Sequence, residues 1–358
     1  MSLDDLRRSI DEIDSGIIGL IARRQKMAEE VGREKMAKGL PITDPARERA
    51  VIEKVRALAA RDGVNADVVA GIYRELMKLA KTVEGLNVAY QGETGAFSEE
   101  AAYKFFGPAI KVVPSESFED VFHAVERNEV QHGVVPIDNS LEGSIVQVYD
   151  LLLNSPLKVS GELQLRVSQY LIANQGTDLG RIKKVYSHPQ ALGQSQAFLK
   201  HLGAELVPTY DTAGSVKMIK EKEIMDGAAV ASFRAAQFYG MNILASEIED
   251  NANNFTRFFV LSHEDAAPSG DDKTSIVFSV KHRPGALSES LREFAMRNIN
   301  LSKIESRPTR KLAWEYNFYL DFEGHHEDKN CREALIALEE KSIFMRVLGS
   351  YPKAKEKV

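Results

Sequence analysis

Cysteine is almost absent from this sequence, and this scarcity limits both its chemistry and its location. Cys331 is the only cysteine among 358 residues, so the sequence predicts no disulfide within the chain and a reducing, cytoplasmic location. No apolar run approaches the roughly 20 residues that span a bilayer. The first residues carry acids where a secretory signal peptide would be apolar, which predicts that none is present. The net charge of -6 predicts neither a nucleic-acid partner nor a membrane partner.

The sequence pattern changes twice along the chain and predicts a multidomain protein. Residues 1–85 have helical periodicity throughout. Residues 86–264 alternate short apolar runs with helical stretches, which is typical of an α/β domain with a mostly parallel sheet. A polar linker follows, and residues 273–358 show a βαββαβ order, which predicts an α+β, ferredoxin-like domain. We therefore expect three domains with these boundaries.

The first helical segment is too long for a compact bundle formed by one chain. Apolar residues recur every three or four positions from Leu6 to Val31. A helix of some 35 residues spans about 50 Å, so its apolar stripe needs a partner to cover it. This pattern predicts a homodimer or a higher homo-oligomer.

Three cations lie on apolar helix faces in this segment. Arg24 and Lys35 fall within about 20° of the stripe, and Arg47 precedes an apolar position of the second helix by four residues. Buried cations are costly without anions. Each could extend its charge to solvent or pair with neighbouring acids, but the group favours an anionic ligand.

The pattern LRRSIDEID, ARRQKMAEEVGREK and ITDPARERAVIEKV resembles the helical chorismate mutases over residues 3–84. The resemblance implies an all-α mutase domain in which cations bind the two carboxylates of chorismate. Lys35 would donate to the ether oxygen, and Glu84, where many relatives have Gln, would donate there only when protonated. Arg7 would act in the partner subunit's site. The matching positions are Arg7, Arg24, Lys35, Asp44, Arg47, Glu48 and Glu84.

Polar loops in the middle segment follow predicted strands. They are PIDNSLEG (136–143), SHPQALGQ (187–194) and NFTRF (254–258), and a Gly-rich turn begins at Gly92. Polar groups at strand ends commonly line a ligand crevice. Each loop taken alone could equally be a turn or a helix cap. Their joint occurrence favours a binding site.

These loops resemble those of the prephenate dehydratases over about residues 87–262. The resemblance implies two α/β lobes arranged like a periplasmic binding protein, a site in the cleft, and no metal or organic cofactor. Prephenate would lose water and carbon dioxide there to give phenylpyruvate. The predicted catalytic residues are Thr256, Asn139, Ser187 and Gln194, and the predicted substrate-binding residues are Ser140, His188 and Arg257. The proton donor stays open among Thr256, His188, Asp138 and Glu142.

The turn HRPGAL (282–287) and the strand end ESRP (305–308) resemble the ACT domain of phenylalanine-regulated dehydratases. The resemblance implies that phenylalanine binds between two such domains. A purely dimerising domain is the alternative. The predicted regulatory residues are Gly285, Ala286, Leu287, Glu305, Ser306, Arg307 and Pro308.

The predicted function is a bifunctional enzyme of phenylalanine biosynthesis, with chorismate, prephenate and L-phenylalanine as its small-molecule partners. An arogenate dehydratase and a non-catalytic amino-acid sensor are the alternatives. The acids and histidines between Asp321 and Asp328 have no established ligand spacing. We therefore expect a solvated turn there and no metal site.

Overall fold

The computed structural model describes residues 2–37, 45–83, 86–108, 110–309 and 315–354. The chain forms two compact units, one of Met1–Val88 with Tyr103–Lys111 and one of Ala89–Ala102 with Val112–Val358. Within the described ranges, no helix is both long and apolar enough to cross a membrane.

The first unit contains the predicted helices. They are α1 (Leu3–Ala37), α2 (Pro45–Arg61) and α3 (Ala66–Val83). Proline at the first position of α2 fits a helix start, because its missing N–H would be unpaired there in any case. The Asn65 side chain accepts hydrogen bonds from the amides of Asp67 and Val68 and so caps α3. The prediction of an all-helical segment is confirmed.

The middle segment folds into two lobes, each built on its own sheet. The first lobe contains β1 (Asn87–Gln91), α4 (Phe97–Phe106), β2 (Lys111–Ser115), α5 (Phe118–Glu126), β3 (His132–Asn139), β4 (Gly143–Ser144), α6 (Val146–Asn154), β5 (Lys158–Arg166) and β11 (Phe255–Ser262). The second lobe contains β6 (Tyr170–Ala173), β7 (Lys184–Ser187), α7 (Pro189–Gln194), α8 (Gln196–Leu202), β8 (Glu205–Pro208), α9 (Thr212–Glu221), β9 (Gly227–Ala231), α10 (Phe233–Tyr239) and β10 (Asn242–Ala245). The chain enters the second lobe after β5 and returns with β11.

The expectation of mostly parallel sheets is wrong. The first sheet has the order β2-β1-β3-β11-β5, with β4 beside β3, and the second has the order β10-β6-β9-β7-β8. Strand β7 runs parallel to β8 and β9. Strand β11 is antiparallel to β3 and β5, and β6 is antiparallel to β9 and β10. The returning strand inserts between β3 and β5 and runs opposite to both.

The last segment has the predicted βαββαβ order and is called here the regulatory domain, after the role that the sequence resemblance implies. Its elements are β12 (Asp272–Val280), α11 (Ala286–Ala295), β13 (Leu301–Pro308), β14 (Tyr316–Glu323), α12 (Lys329–Lys341) and β15 (Ser342–Pro352). The antiparallel sheet has the order β13-β14-β12-β15. Its core is apolar and includes Ile276, Phe278 and Phe294.

The regulatory domain and the first lobe share one hydrophobic core. Tyr319 and Tyr351 of the former belong to the same buried cluster as Phe259 and Tyr149 of the latter. A Cβ atom at Gly349 would collide with the backbone of Val159, so β15 and β5 approach each other closely. The two parts therefore pack as one body with direct side-chain contacts.

Candidate functional site

Two of the predicted mutase arginines are far apart on α1. The Arg24 guanidinium donates to the Leu76 carbonyl oxygen at 2.9 Å and is partly buried against α3. Arg7 lies about 25 Å further along the helix axis, given a rise of about 1.5 Å per residue. Its side chain is 69% exposed. Both cations can therefore serve one site only if Arg7 comes from another copy of the chain.

Of the other predicted mutase residues, the structure fully describes only Arg47 and Glu48. Arg47 and Glu48 lie in the first turn of α2. Lys35 lies on α1, but its side chain, together with Asp44 and Glu84, lies outside the described residues. Their roles remain predictions.

The apolar stripe of α1 is largely solvent-exposed in a single chain. Its apolar side chains are between 46% and 68% exposed at the following positions: Leu3, Leu6, Ile10, Ile13, Ile17, Leu20, Met27 and Val31. A contiguous exposed apolar surface of this kind typically marks an interface.

Two of the predicted dehydratase loops, residues 136–143 and 254–258, meet at Asn139, the last residue of β3. Its amide nitrogen donates to the Asn254 side-chain oxygen at 2.7 Å and to the Thr256 hydroxyl at 3.0 Å. Its amide oxygen accepts from the backbone of Leu141 and Glu142 at 3.0 Å. These bonds use the full hydrogen-bonding capacity of a nearly buried amide, so Asn139 fixes the loop and orients Thr256.

A chain of side-chain hydrogen bonds continues from Asn254 to the second lobe. Asn254 donates to the Gln194 side-chain oxygen at 2.9 Å, and Gln194 donates to the Glu142 carboxylate at 3.2 Å. Asn254 is fully buried although it was not among the predicted site residues. The signal that could have found it is its position two residues before Thr256, which places both side chains on one face of an extended chain.

The other predicted dehydratase residues, Ser140, Ser187 and His188, form hydrogen bonds with backbone groups. The Ser140 hydroxyl donates to the Asn253 carbonyl and accepts from the Phe255 amide, both at 2.9 Å. Ser187 is buried and donates to the Val230 carbonyl at 2.6 Å. The His188 ring accepts from the Gln190 amide at 3.3 Å and so caps α7. The structure thus gives each of them a positional role, and participation in catalysis remains a prediction.

Arg257 does not face the same side of the sheet as Thr256. In the register of β11 against β3, Thr256 lies opposite Asn139, and Arg257 lies opposite Asp138. Successive strand residues point to opposite faces, so Thr256 and Asn139 face the side linked through Asn254 to the second lobe, and Arg257 and Asp138 face the regulatory domain. This placement also directs the Asp138 carboxylate away from the Thr256 hydroxyl, which argues against Asp138 as the proton donor.

The Arg257 side chain is the centre of a buried ion cluster and is only 12% exposed. It contacts the Glu162 carboxylate at 2.6 Å and the Asp321 carboxylate at 2.6 Å, and it donates to the Tyr351 hydroxyl at 3.0 Å. Lys273 donates to the second oxygen of Glu162 at 2.8 Å. Protein carboxylates already engage the Arg257 guanidinium, which favours an internal role, and its expected binding of a substrate carboxylate stays a prediction.

The position of Asp321 differs from the one that the sequence predicted. It was predicted to lie in a solvated turn, but its side chain is 8% exposed and accepts from the Ser275 hydroxyl at 2.6 Å. Burial alone raises the pKa of Asp321, but the Arg257 guanidinium and the Ser275 hydroxyl hold that pKa below its ordinary value. Asp321 is therefore a charged partner of Arg257 at neutral pH.

The Gly-rich turn after β1 bridges the two lobes. A Cβ atom at Gly95 would lie 2.7 Å from the Ala235 Cα atom, and the Ser232 hydroxyl donates to the Gly95 carbonyl at 2.6 Å. In the same turn, Glu93 accepts from Lys217 of the second lobe at 3.1 Å. Only glycine allows this approach, because its φ of +94° and the missing Cβ are both required.

The predicted regulatory residues occupy two elements of their domain. Gly285, with φ of +83°, is the N-cap of α11, and Ala286 is buried in its first turn. Glu305, Ser306, Arg307 and Pro308 end β13, which is the edge strand of the sheet. Leu287 packs against the hydrophobic core of the domain. The part of the chain that the structure describes contains no group of three or more metal-ligating acidic, histidine or cysteine side chains.

The order of the segments agrees with comparisons to known protein families. The family model of chorismate mutase type II matches residues 6–85, that of prephenate dehydratase matches residues 88–266, and that of the ACT domain matches residues 274–340. The three predicted segments therefore correspond to three known domain families.

Known proteins resemble the chain in sequence and in three-dimensional structure. A bifunctional chorismate mutase/prephenate dehydratase of Aquifex aeolicus is 40% identical, covering 98% of both chains, and an arogenate dehydratase of Petunia hybrida is 45% identical, covering 78% of this chain and 74% of the relative. The crystal structure of an Arthrobacter aurescens prephenate dehydratase in complex with L-Phe is 32% identical, with a TM-score of 0.70, covering 75% of this chain and 90% of that chain. With the domain order and the full-length similarity, these findings show that the chain is an enzyme that belongs to the bifunctional chorismate mutase/prephenate dehydratase family.

Proposed function

We propose that the helical unit rearranges chorismate to prephenate, that the cleft between the two lobes converts prephenate to phenylpyruvate, and that L-phenylalanine binding to the regulatory domain inhibits the second reaction. The observation that carries the proposal is the convergence of Asn139, Gln194 and Thr256 in one hydrogen-bond network. A cytoplasmic location is part of the proposal and rests on the single cysteine.

The mutase reaction requires binding and charge stabilisation only. It is an intramolecular rearrangement, so fixed cations that hold the substrate conformer and stabilise charge on the ether oxygen are sufficient. Arg24 would bind a carboxylate from within the subunit, and Arg7 would reach the site from its partner. The distance along α1 and the exposed apolar stripe both support a homodimer.

The dehydratase reaction requires a hydrogen-bond donor at the departing hydroxyl. The bond between the ring and its carboxylate breaks, its electron pair completes the aromatic ring, and the hydroxyl leaves as water after gaining a proton. The Thr256 hydroxyl accepts one hydrogen bond from Asn139 and keeps its own hydrogen for a bound substrate. Thr256 would therefore assist the departure of the hydroxyl.

Substitution of Thr256 tests this role. Thr256→Val removes the hydroxyl at nearly constant volume and should lower kcat for prephenate by roughly 100-fold or more, the usual scale for a positioned proton donor. Thr256→Ser should retain most of the activity. Mutase activity of the same samples is the control, because it belongs to the other unit. Unchanged prephenate turnover by Thr256→Val would refute the assignment.

Arogenate is the alternative substrate, because plant relatives carry that name. Those relatives align with 75–78% of the chain, whereas bifunctional relatives align with 98%. A fused mutase produces prephenate locally, which favours prephenate. Competition between the two substrates at equal concentration tests this preference, and faster consumption of arogenate would reverse it.

A further inference from the structure

One face of strand β13 contacts the first lobe next to the predicted dehydratase site. The exposure pattern of β13 alternates, and its half-buried polar side chains are Lys303, Glu305 and Arg307. Each meets a polar residue of the first lobe. Lys303 binds the Asp138 carboxylate, Glu305 contacts the Ser144 hydroxyl at 3.1 Å, and Arg307 lies 3.7 Å from the Asp150 carboxylate. The strand therefore lies directly against the first lobe.

Asp138 links this face to the site residues. It precedes Asn139 in β3 and lies opposite Arg257, whose preceding residue is Thr256. A shift of the backbone at Asp138 and Arg257 also moves the adjacent residues Asn139 and Thr256, because each pair is consecutive in its strand. The two faces of these two strands are thus mechanically coupled.

Ser144 lies where two competing interactions meet. Its hydroxyl is 3.0 Å from an Asp138 oxygen and 3.1 Å from a Glu305 oxygen, and Lys303 donates to it at 3.2 Å. A hydroxyl has one hydrogen, so Ser144 can donate fully to only one of the two carboxylates at a time. A ligand that withdraws Glu305 leaves Asp138 as the sole acceptor.

We propose that Ser144 and Lys303 are positioning residues that couple amino-acid binding at β13 to the geometry of Asn139 and Thr256. An ammonium group that pairs with Glu305 would leave the Ser144 hydrogen bond to Asp138 alone, beside the Lys303 charge that Asp138 already binds. The dehydratase site then responds through β3 and β11, and no motion of the second lobe is needed to start the response. The inference rests on the proposed phenylalanine regulation and identifies its route.

The test compares regulation with binding in the full-length enzyme. The coupling is measured as the fold-change in KM and in kcat for prephenate at saturating phenylalanine. Phenylalanine affinity without substrate is measured by calorimetry. Ser144→Ala should reduce the coupling by roughly threefold or more, the usual scale on which single substitutions change allosteric coupling, and should leave the phenylalanine Kd nearly unchanged. Ser144→Thr, which keeps the hydroxyl, should restore the coupling.

Two further variants complete the design. Ser302→Ala, on the exposed face of β13, is the matched control and should behave as wild type, because its hydroxyl donates to the backbone carbonyl of Asp321. Lys303→Gln should reduce the coupling even if Ser144→Ala folds poorly. If Ser144→Ala and Lys303→Gln are both inhibited as strongly as wild type, the inference is overturned and the regulation stands. If wild type binds no phenylalanine, the proposed regulation itself fails and the inference with it.

Discussion

Replacing Arg257 with methionine separates its two possible roles, substrate binding and structural ion pairing. The substitution keeps an apolar stem and removes the charge that Glu162 and Asp321 share. Both carboxylates are nearly buried, at 0% and 8% side-chain exposure, and Lys273 compensates only Glu162 directly. Removing one partner of a buried ion pair typically costs about 3–5 kcal/mol.

The assay is thermal unfolding combined with steady-state kinetics. Each kcal/mol lowers the Tm of a domain of this size by roughly 2–4 °C, so we expect a decrease on the order of 10 °C in the transition of the dehydratase and regulatory parts. The double variant Arg257→Met with Asp321→Asn should recover part of the loss, because it removes one uncompensated carboxylate.

The control is Arg283→Met, which breaks an ion pair with Glu289 whose partners are 53% and 49% exposed. Exposed pairs of this kind contribute at most about 1 kcal/mol, so the Tm should change little. A substrate-binding role for Arg257 predicts the opposite pattern, with a raised KM for prephenate and a wild-type Tm. That pattern would refute the internal role of Arg257.

The other predictions concern assembly, acid stability and the Gly-rich turn. Mixing and refolding inactive Arg7→Ala and Arg24→Ala subunits should restore about a quarter of wild-type mutase activity if each dimer site draws on both subunits, and no recovery would exclude that arrangement. The pKa of Asp321 is held below its ordinary value of about 3.9, so its charge stabilises the fold above that pH and this contribution disappears as the pH falls through the folded-state pKa. Asp321→Asn should therefore flatten the loss of Tm below about pH 4, and an unchanged acid profile would contradict this. Gly95→Ala should abolish dehydratase activity and spare mutase activity, because the added Cβ meets the backbone of α10; normal prephenate turnover would refute it.

The sequence predicted the order of the parts because each part has its own periodicity. The long stripe of α1 and the βαββαβ order of the regulatory domain needed only local patterns. The direction of β11 did not follow from local patterns, because it depends on where the returning chain enters the first sheet. Strand insertion of this kind is set by long-range packing.

The site was predictable in part. The loops around Asn139, Gln194 and Thr256 were found, and the structure joins them. Thr256 and Arg257 are adjacent in a strand, so alternation alone should have excluded one of them from the cleft. Sequence could not show which one, because the cleft side of β11 is defined by the second lobe. The prediction that Asp321 is solvated was wrong because the polar residues after it indicated a turn, whereas Asp321 itself occupies a buried position of β14.

The most direct test of the account is a chorismate time course on the purified full-length protein, with and without phenylalanine, that quantifies prephenate and phenylpyruvate separately. The account predicts that prephenate appears first, that phenylpyruvate follows, and that phenylalanine suppresses only the second product. Persistence of chorismate, or of added prephenate, while phenylalanine still binds would contradict it and would favour a non-catalytic amino-acid sensor.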